Sequence, residues 1–410
     1  MKCRHCTSEL SLSFLDLGSA PPSNAYLTPE SLNHPEAWYP LKVLVCTQCW
    51  LVQTEDHAGR EALFNDNYAY FSAFSSTWLT HSRRYVTDMK ERFGLCAQSC
   101  VVEVAANDGY LLQYMQADGI PCYGIEPTAS TANAARGRGI EIVENFFDVA
   151  LAQQLAAQGR QADLTIANNV LAHVPDINDF VAGFFALLKP GGVATFEFPH
   201  LLRMVQDCQF DTTYHEHYSY LSLTAVRAIF AVNGLTVFDV QHWPTHGGSL
   251  RVFAQRTDTG AQPVSEAVAD CLQLEALAGV VTQSFYRDFQ PQASRIVREL
   301  LSFLIDQAAR GIPVAAYGAA AKGNTLLNFA GVRPHLLAYV ADKNPAKHGK
   351  CMPGSRIPIV DEAHLRTHRP AYVLILPWNL RDEIVTQLDY IREWGGKFVT
   401  AVPSLELIAI

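Results

Sequence analysis

From Val101 to Phe198 short apolar runs alternate with helix-forming stretches, and few folds accommodate that rhythm. Val101-Val102-Glu103-Val104-Ala105 reads as a strand that leads through Ala106-Asn107-Asp108-Gly109-Tyr110 into a helix. Cys122 to Glu126, a helical stretch over 129–136, and Ile140 to Val143 follow. Leu164 to Ala167 and, after a Lys189-Pro190-Gly191-Gly192 turn, Gly192 to Phe198 supply two more strands. Strands and helices at this spacing predict an α/β fold with a parallel, doubly wound sheet. Leu235 to Val240 and Ser249 to Gln255, joined by a glycine-containing loop, predict an antiparallel hairpin at its edge.

The chain has 410 residues, enough for two or three domains, and its 49% hydrophobic and 17% charged residues can bury substantial cores. No window approaches eighteen uninterrupted apolar residues, so no membrane span is expected. The start, Met1-Lys2-Cys3-Arg4-His5-Cys6, lacks the apolar core of a signal peptide, and a cytoplasmic location is expected. A net charge of −9 argues against broad binding to nucleic acid or acidic membranes. Nothing in the chain calls for an obligate protein partner.

Four of the ten cysteines form two pairs, Cys3-x-x-Cys6 and Cys46-x-x-Cys49, with 39 residues between them. Two-residue spacing lets both thiolates of a pair reach one tetrahedral ion, and two such knuckles complete a four-cysteine zinc site. Four thiolates leave no open position, so the zinc is expected to be structural.

A third unit starts near residue 311, after a helical stretch over roughly 265–310. Ile312 to Tyr317 reads as a strand, and Gly318 to Gly323 as a small-residue turn into a helix over Asn324 to Phe329. Leu337 to Asp342 and Tyr372 to Leu376 supply further strands. A tight turn opening a helix offers free N–H groups to a phosphate, and Lys322 adds a cation. Gly318, Ala319, Lys322 and Asn324 are therefore candidate phosphate contacts, with Asp342 at a strand end as a possible ribose acid. The alternative is a dinucleotide-type fold that binds nothing.

The stretch richest in chemistry is Tyr214-His215-Glu216-His217-Tyr218, which follows the strand ending at Phe198. Open sheets place ligands just past strand ends. Asn107-Asp108-Gly109 after the first strand brings backbone close to a ligand, and Glu126 after the second can accept ribose hydroxyls. Neither position carries G-x-G-x-x-G. Both resemble the pattern of class I S-adenosylmethionine-dependent methyltransferases, as does Ala167-Asn168-Asn169-Val170-Leu171-Ala172-His173-Val174. The resemblance assigns Glu103, Ala105, Asn107, Asp108 and Gly109 to the cofactor's methionine end. It also assigns Glu126 to the ribose, with Leu111, Pro127, Asn168, Asn169, Val170 and His173 as further cofactor contacts.

The order of Cys pairs, Glu103 to Leu112, Phe210 to His217 and Gly318 to Thr325 is similar to the sugar C-methyltransferases of deoxysugar pathways. These methylate C-3 of nucleotide-linked 4-keto-6-deoxyhexoses, with thymidine diphosphate the usual handle. The resemblance implies a zinc-binding domain over 1–66, a methyltransferase domain over 67–260, a helical connector over 261–310 and a Rossmann-like nucleotide-sugar domain over 311–410. It implies enolate chemistry, with His217 as base and Tyr214 orienting the sugar or stabilising the enolate. Glu216 would tune its neighbours or bind a sugar hydroxyl, and His215, in the family's variable position, is a weaker candidate. Histidine suits the base role because it titrates near neutral pH. Tyr68 or Tyr70 is expected to reach the site, and His246 and Arg251 to line the sugar pocket. Competing readings are a metal on His215 and His217, a structural loop, a sugar O-methyltransferase, a zinc-ribbon enzyme acting on nucleic acid, and a nonenzymatic nucleotide-sugar-binding protein.

Overall fold

The computed structural model describes residues 1–57, 59 and 71–408. Tyr68 and Tyr70 lie outside them. The rhythm read between residues 101 and 198 forms a sheet in the order Leu235–Trp243, Ser249–Arg256, Leu188–Pro199, Ala162–Asn168, Val101–Val104, Cys122–Ile125, Ile142–Val143. The last five strands of that order run parallel to one another, and Ser249–Arg256 is antiparallel to both its neighbours. Every residue of Val101–Val104 is buried, as a strand covered on both faces requires. The helices carry their start signals. Ser75, Asp148, Asp176 and Ser222 each accept a backbone N–H from the first turn of the helix they precede.

Two boundaries differ from the sequence reading. Lys189 to Gly192 does not separate helix from strand but lies inside the twelve-residue strand Leu188–Pro199. A register shift opposite Ala162 and Leu164 and a positive φ at Gly191 absorb the bend. The helix expected from Asn324 spans Ala321–Phe329, so the turn before it is only Gly318 to Ala320. The stretch expected as a helical connector contains the helices Glu266–Ala278, Ser284–Arg287 and Phe289–Ala309. The last is built into the core. Its Phe289, Ala293, Ile296, Leu300 and Leu304 share one apolar cluster with Phe14 and Leu17 near the N-terminus and with Val314 and Leu326 of the third unit. Phe289 stacks on Phe14 with ring centroids 4.4 Å apart.

The N-terminal sheet has the order Leu12–Ala20, Tyr39–Val45, Val52–Thr54, Ser219–Tyr220. Its fourth strand follows the five parallel strands of the larger sheet in the chain, immediately after the polar run. That pairing fixes residues 214–218 between the two sheets. The third unit has the order Ile359–Val360, Val340–Ala341, Val314–Tyr317, Tyr372–Ile375, Lys397–Thr400, Glu406–Ile408, parallel except for the last strand. No helix among the described residues is long and apolar enough to cross a membrane.

Candidate active site

Val101–Val104 pairs with Cys122–Ile125 on one side and Ala162–Asn168 on the other, so the chain's winding direction reverses there. Such a reversal opens a crevice at the carboxyl ends of the strands. A cavity of about 330 Å³ occupies it, lined on this side by Ala105, Asn107, Glu126, Pro127, Asn168, Asn169, Val170 and His173. Ala105, Asn107 and Asn169 have φ of 58°, 48° and 52°, a conformation that side chains other than glycine adopt at some cost and that clusters at ligand sites. Gly109 shapes the same turn. Its φ is +77°, and an added Cβ would stand 2.3 Å from Ile140 Cδ1.

Four of the residues expected at the cofactor stand behind this wall. Glu103 is wholly buried in its strand, and burial holds its carboxyl well above the usual range. Asp108 accepts the Ala73 N–H and lies 3.4 Å from Arg138. Gly109 packs against Ala135 and Ile140, and Leu111 is buried. On the wall itself, Glu126 accepts from the Asn107 N–H, the Thr128 N–H and the Thr131 hydroxyl, each at 3.0 Å. These bonds fix the carboxylate at the end of the second strand.

The polar run forms the opposite side. Tyr214, Glu216 and His217 line the cavity. His217 Nδ1 lies 2.8 Å from the Thr212 carbonyl. A carbonyl oxygen only accepts, so Nδ1 carries the proton and Nε2 has a free lone pair. Burial, then the neighbouring His173, lowers the pKa of His217 well below its ordinary value. The Tyr214 ring lies over the His217 ring with centroids 4.0 Å apart, and His173 meets it edge-on at 4.5 Å. Glu216 is buried, which pushes its carboxyl up to about 7. His215 turns away. Its Nε2 lies 3.3 and 3.2 Å from the carbonyls of Tyr39 and Pro40, outside the cavity.

The third unit contributes Ala320, Ala321, Lys322 and Lys347. Lys322 Nζ donates to Asn379 at 2.7 Å and lies 4.6 Å above the Trp378 ring. Burial lowers its pKa to about 8, with Asp211 acting in the opposite sense. Gly318, Ala319 and Asn324 do not reach the cavity wall. The Ala319 N–H donates to Asp342 at 2.6 Å, so this acid braces the turn. Asn324 donates to the Ser23 carbonyl. The part of this turn and helix start on the cavity wall is therefore Ala320 to Lys322 rather than Gly318 and Ala319.

His246 and Arg251 part company. His246 is on the cavity wall, with φ of 55°, and accepts from Asn169 Nδ2 at 2.9 Å. Arg251 is 0% exposed and is not on the wall. It donates through Nε and Nη2 to Glu197 Oε2 at 3.0 and 2.8 Å, between the rings of Tyr85 and Trp243. Strand alternation decides this. Ser249–Arg256 is the inner strand of the antiparallel edge, and Arg251 faces Glu197 directly across the ladder. The sequence reading did not identify Asn24, Trp78 or Lys347, which also line the cavity. Each comes from a segment whose local pattern carries no catalytic signal.

Three family profiles cover the chain in turn: "Putative zinc binding domain" over residues 3–64, "Methyltransferase domain" over 78–240 and "C-methyltransferase C-terminal domain" over 244–403. The chain is also 33% identical over 408 residues to C-methyltransferase NovU of Streptomyces niveus, covering 100% of this chain and 97% of that one. This chain belongs to the C-methyltransferase family. A second relative, the ubiquinone biosynthesis O-methyltransferase of Bordetella avium (strain 197N), is 31% identical over 98 residues, covering 23% of this chain and 41% of the relative. Among solved structures, magnesium protoporphyrin IX methyltransferase from Synechocystis PCC 6803 aligns with 44% of this chain and 81% of its own at 16% identity, with a TM-score of 0.35.

S-adenosylmethionine is the cofactor of this C-methyltransferase, and the left-handed turn with the fixed Glu126 carboxylate suits it. The metal is zinc. The four sulfur atoms of Cys3, Cys6, Cys46 and Cys49 lie within 4.8 Å of one another, with Cys3–Cys49 at 3.6 Å and Cys6–Cys46 at 3.5 Å. Tetrahedral thiolates at the usual Zn–S distance stand about 3.8 Å apart, whereas a disulfide needs about 2.05 Å. The two knuckles repeat one geometry: Thr7 N–H bonds Cys3 O and Trp50 N–H bonds Cys46 O, with Thr7 and Trp50 at φ of 62° and 60°. Gln53 donates to Cys3 Sγ at 3.2 Å, an outer contact that orients the thiolate. Cys46→Ser is expected to lower zinc content, measured by elemental analysis, and to make the N-terminal zinc-binding region the earliest target of limited proteolysis.

Proposed function

We propose that this C-methyltransferase places a methyl group on C-3 of a nucleotide-linked 4-keto-6-deoxyhexose, with thymidine diphosphate as the handle, through an enolate. One observation carries the reading: the Thr212 carbonyl holds the proton of His217 on Nδ1, which leaves Nε2 as a neutral base at the cavity wall. Carbon methylation requires a carbon nucleophile, and a hydrogen beside a ketone is acidic enough for a positioned base to remove. S-adenosylmethionine supplies the electrophile, a methyl group on a positively charged sulfur.

In this reading His217 Nε2 takes the C-3 proton. Because its basicity is low, much of the work falls on donors at the developing C-4 oxyanion. Tyr214, its ring centroid 4.0 Å from that of His217, orients the sugar and stabilises that oxygen in this reading. Glu216 accepts a sugar hydroxyl. Ala320, Ala321 and Lys322 at the start of Ala321–Phe329 face the diphosphate, where a helix N-terminus and a cation favour negative charge. His246 closes the sugar side. The cofactor is held by Ala105, Asn107, Glu126, Pro127, Asn168, Asn169, Val170 and His173, with Glu103, Asp108, Gly109 and Leu111 supporting the turn from behind.

The test is proton exchange. In D2O, the enzyme with a thymidine diphosphate 4-keto-6-deoxyhexose is expected to replace the C-3 hydrogen by deuterium, and NMR of the full reaction to place the new methyl on C-3. Absence of exchange, with or without the cofactor, together with a methyl found on oxygen, would overturn the enolate reading.

A further inference from the structure

Both oxygens of Glu216 accept from one side chain, the Asn24 amide, at 2.9 and 2.7 Å. Asn24 is outside the methyl-donor sheet. It sits in the zinc-binding domain, between the strands Leu12–Ala20 and Tyr39–Val45, and it lines the same cavity as Glu216.

We propose that Asn24 is a positioning residue of the active site: its amide holds the Glu216 carboxylate at the cavity wall, so the zinc-binding domain supplies part of the catalytic geometry.

The segment that carries Asn24 is fixed on both sides. The Ala25 N–H bonds the Pro22 carbonyl at 3.1 Å, which closes a turn over Pro22 to Ala25. Asn324 Nδ2 donates to the Ser23 carbonyl at 2.5 Å, and the Tyr26 hydroxyl to the Ala319 carbonyl at 2.6 Å. Leu27 and Cys351 exchange backbone hydrogen bonds at 3.0 and 2.7 Å. Four contacts to the third unit thus hold a short segment whose cavity-facing amide grips a buried carboxyl. An amide N–H can only donate, so it favours the ionised form of its partner, against the burial that favours the neutral one. An ionised Glu216 accepts a hydroxyl hydrogen from substrate; a neutral one competes as a donor.

The titratable groups around Glu216 come from each packed element. His217 and Tyr214 flank it on its own run, and His173 bonds its backbone carbonyl. Tyr26 lies on the Asn24 segment, with Lys347 5.3 Å from its ring and Asp342 3.5 Å from that lysine. The lysine is matched by Asp342, which leaves the Asn24 amide as the main group favouring ionisation of Glu216.

The proposal rests on the functional reading only in that Glu216 serves the substrate, and the test separates the two. The rate of C-3 deuterium exchange is measured against pH for Asn24→Ala, with zinc content and S-adenosylmethionine binding as controls of folding. The acid limb is expected to move up by about one pH unit, so that the rate falls about tenfold on that limb and recovers at high pH. Asn24→Asp, which sets a second carboxyl against Glu216, moves the limb further the same way. If the alanine variant fails the folding controls, Asn24→Asp and Asn24→Ser carry the same measurement. An unmoved acid limb in these variants, while Glu216→Gln abolishes the limb, overturns the proposal. Wild-type rate and profile in Glu216→Gln would instead remove the substrate role of Glu216, and with it any consequence of Asn24.

Discussion

His217→Asn is expected to abolish deuterium uptake at C-3 and to lower methyl transfer by about 10²–10⁴-fold, the usual contribution of a positioned general base. Asparagine keeps a donor for the Thr212 carbonyl, so the local fold survives while the Nε2 lone pair is lost. S-adenosylmethionine binding should be little changed, which calorimetry checks. The pH profile gives an independent reading. The pKa of His217 lies well below its ordinary value, so the base form persists as pH falls through neutrality. The acid limb near neutral pH then belongs to Glu216, whose carboxyl titrates at about 7. Stability follows the two shifts in opposite senses. His217, depressed by burial, favours the folded state above the usual histidine pKa and loses that contribution as pH falls. Glu216, raised by burial, favours the folded state at low pH and loses that contribution as pH rises toward its folded value. Exchange that survives in His217→Asn but vanishes in Glu216→Gln would move the base to Glu216.

Arg251→Met is expected to destabilise the protein by about 3–5 kcal/mol, because it leaves the buried Glu197 carboxylate without its guanidinium partner. Glu197 and Arg251 are each 0% exposed, so solvent does not screen the pair. Methionine fills much of the space between Tyr85 and Trp243 but supplies no charge. His81, 2.8 Å from Glu197, remains as partial compensation. Chemical denaturation measures the loss, and adding Glu197→Gln should recover part of it, since a neutral pair carries no unpaired buried charge. The KM for substrate should change little once the protein is folded. Unchanged stability with a strongly raised KM would restore Arg251 to the sugar pocket, where its neighbourhood in the sequence had suggested it belonged.

That contrast shows which kinds of information a sequence carries. His217 and Arg251 are polar residues on segments following buried strands, and both invite a functional reading. His217 belongs to a run with almost no apolar residue, which no strand or helix core would accommodate. Arg251 sits in Ser249–Arg256, where alternate positions face opposite ways, and its partner Glu197 is 54 residues away. Nothing local says which face meets the cavity.

The sequence alone determined the features that depend on neighbours along the chain. Two-residue cysteine spacing sets ligand geometry within a single turn, and strand–turn–helix rhythm sets a doubly wound sheet. The residues at the ends of the first, second and fourth of those strands then had to face the crevice, and Ala105, Asn107, Glu126, Asn168 and Asn169 do. Tertiary structure alone decided which distant segments meet. It set Ser219–Tyr220 beside Val52–Thr54, brought Asn24 onto Glu216, and placed Lys322 rather than Gly318 on the wall. Those contacts join chain regions far apart in sequence. They are fixed by side-chain packing and hydrogen-bond satisfaction across interfaces, which leave no periodic trace in any one segment.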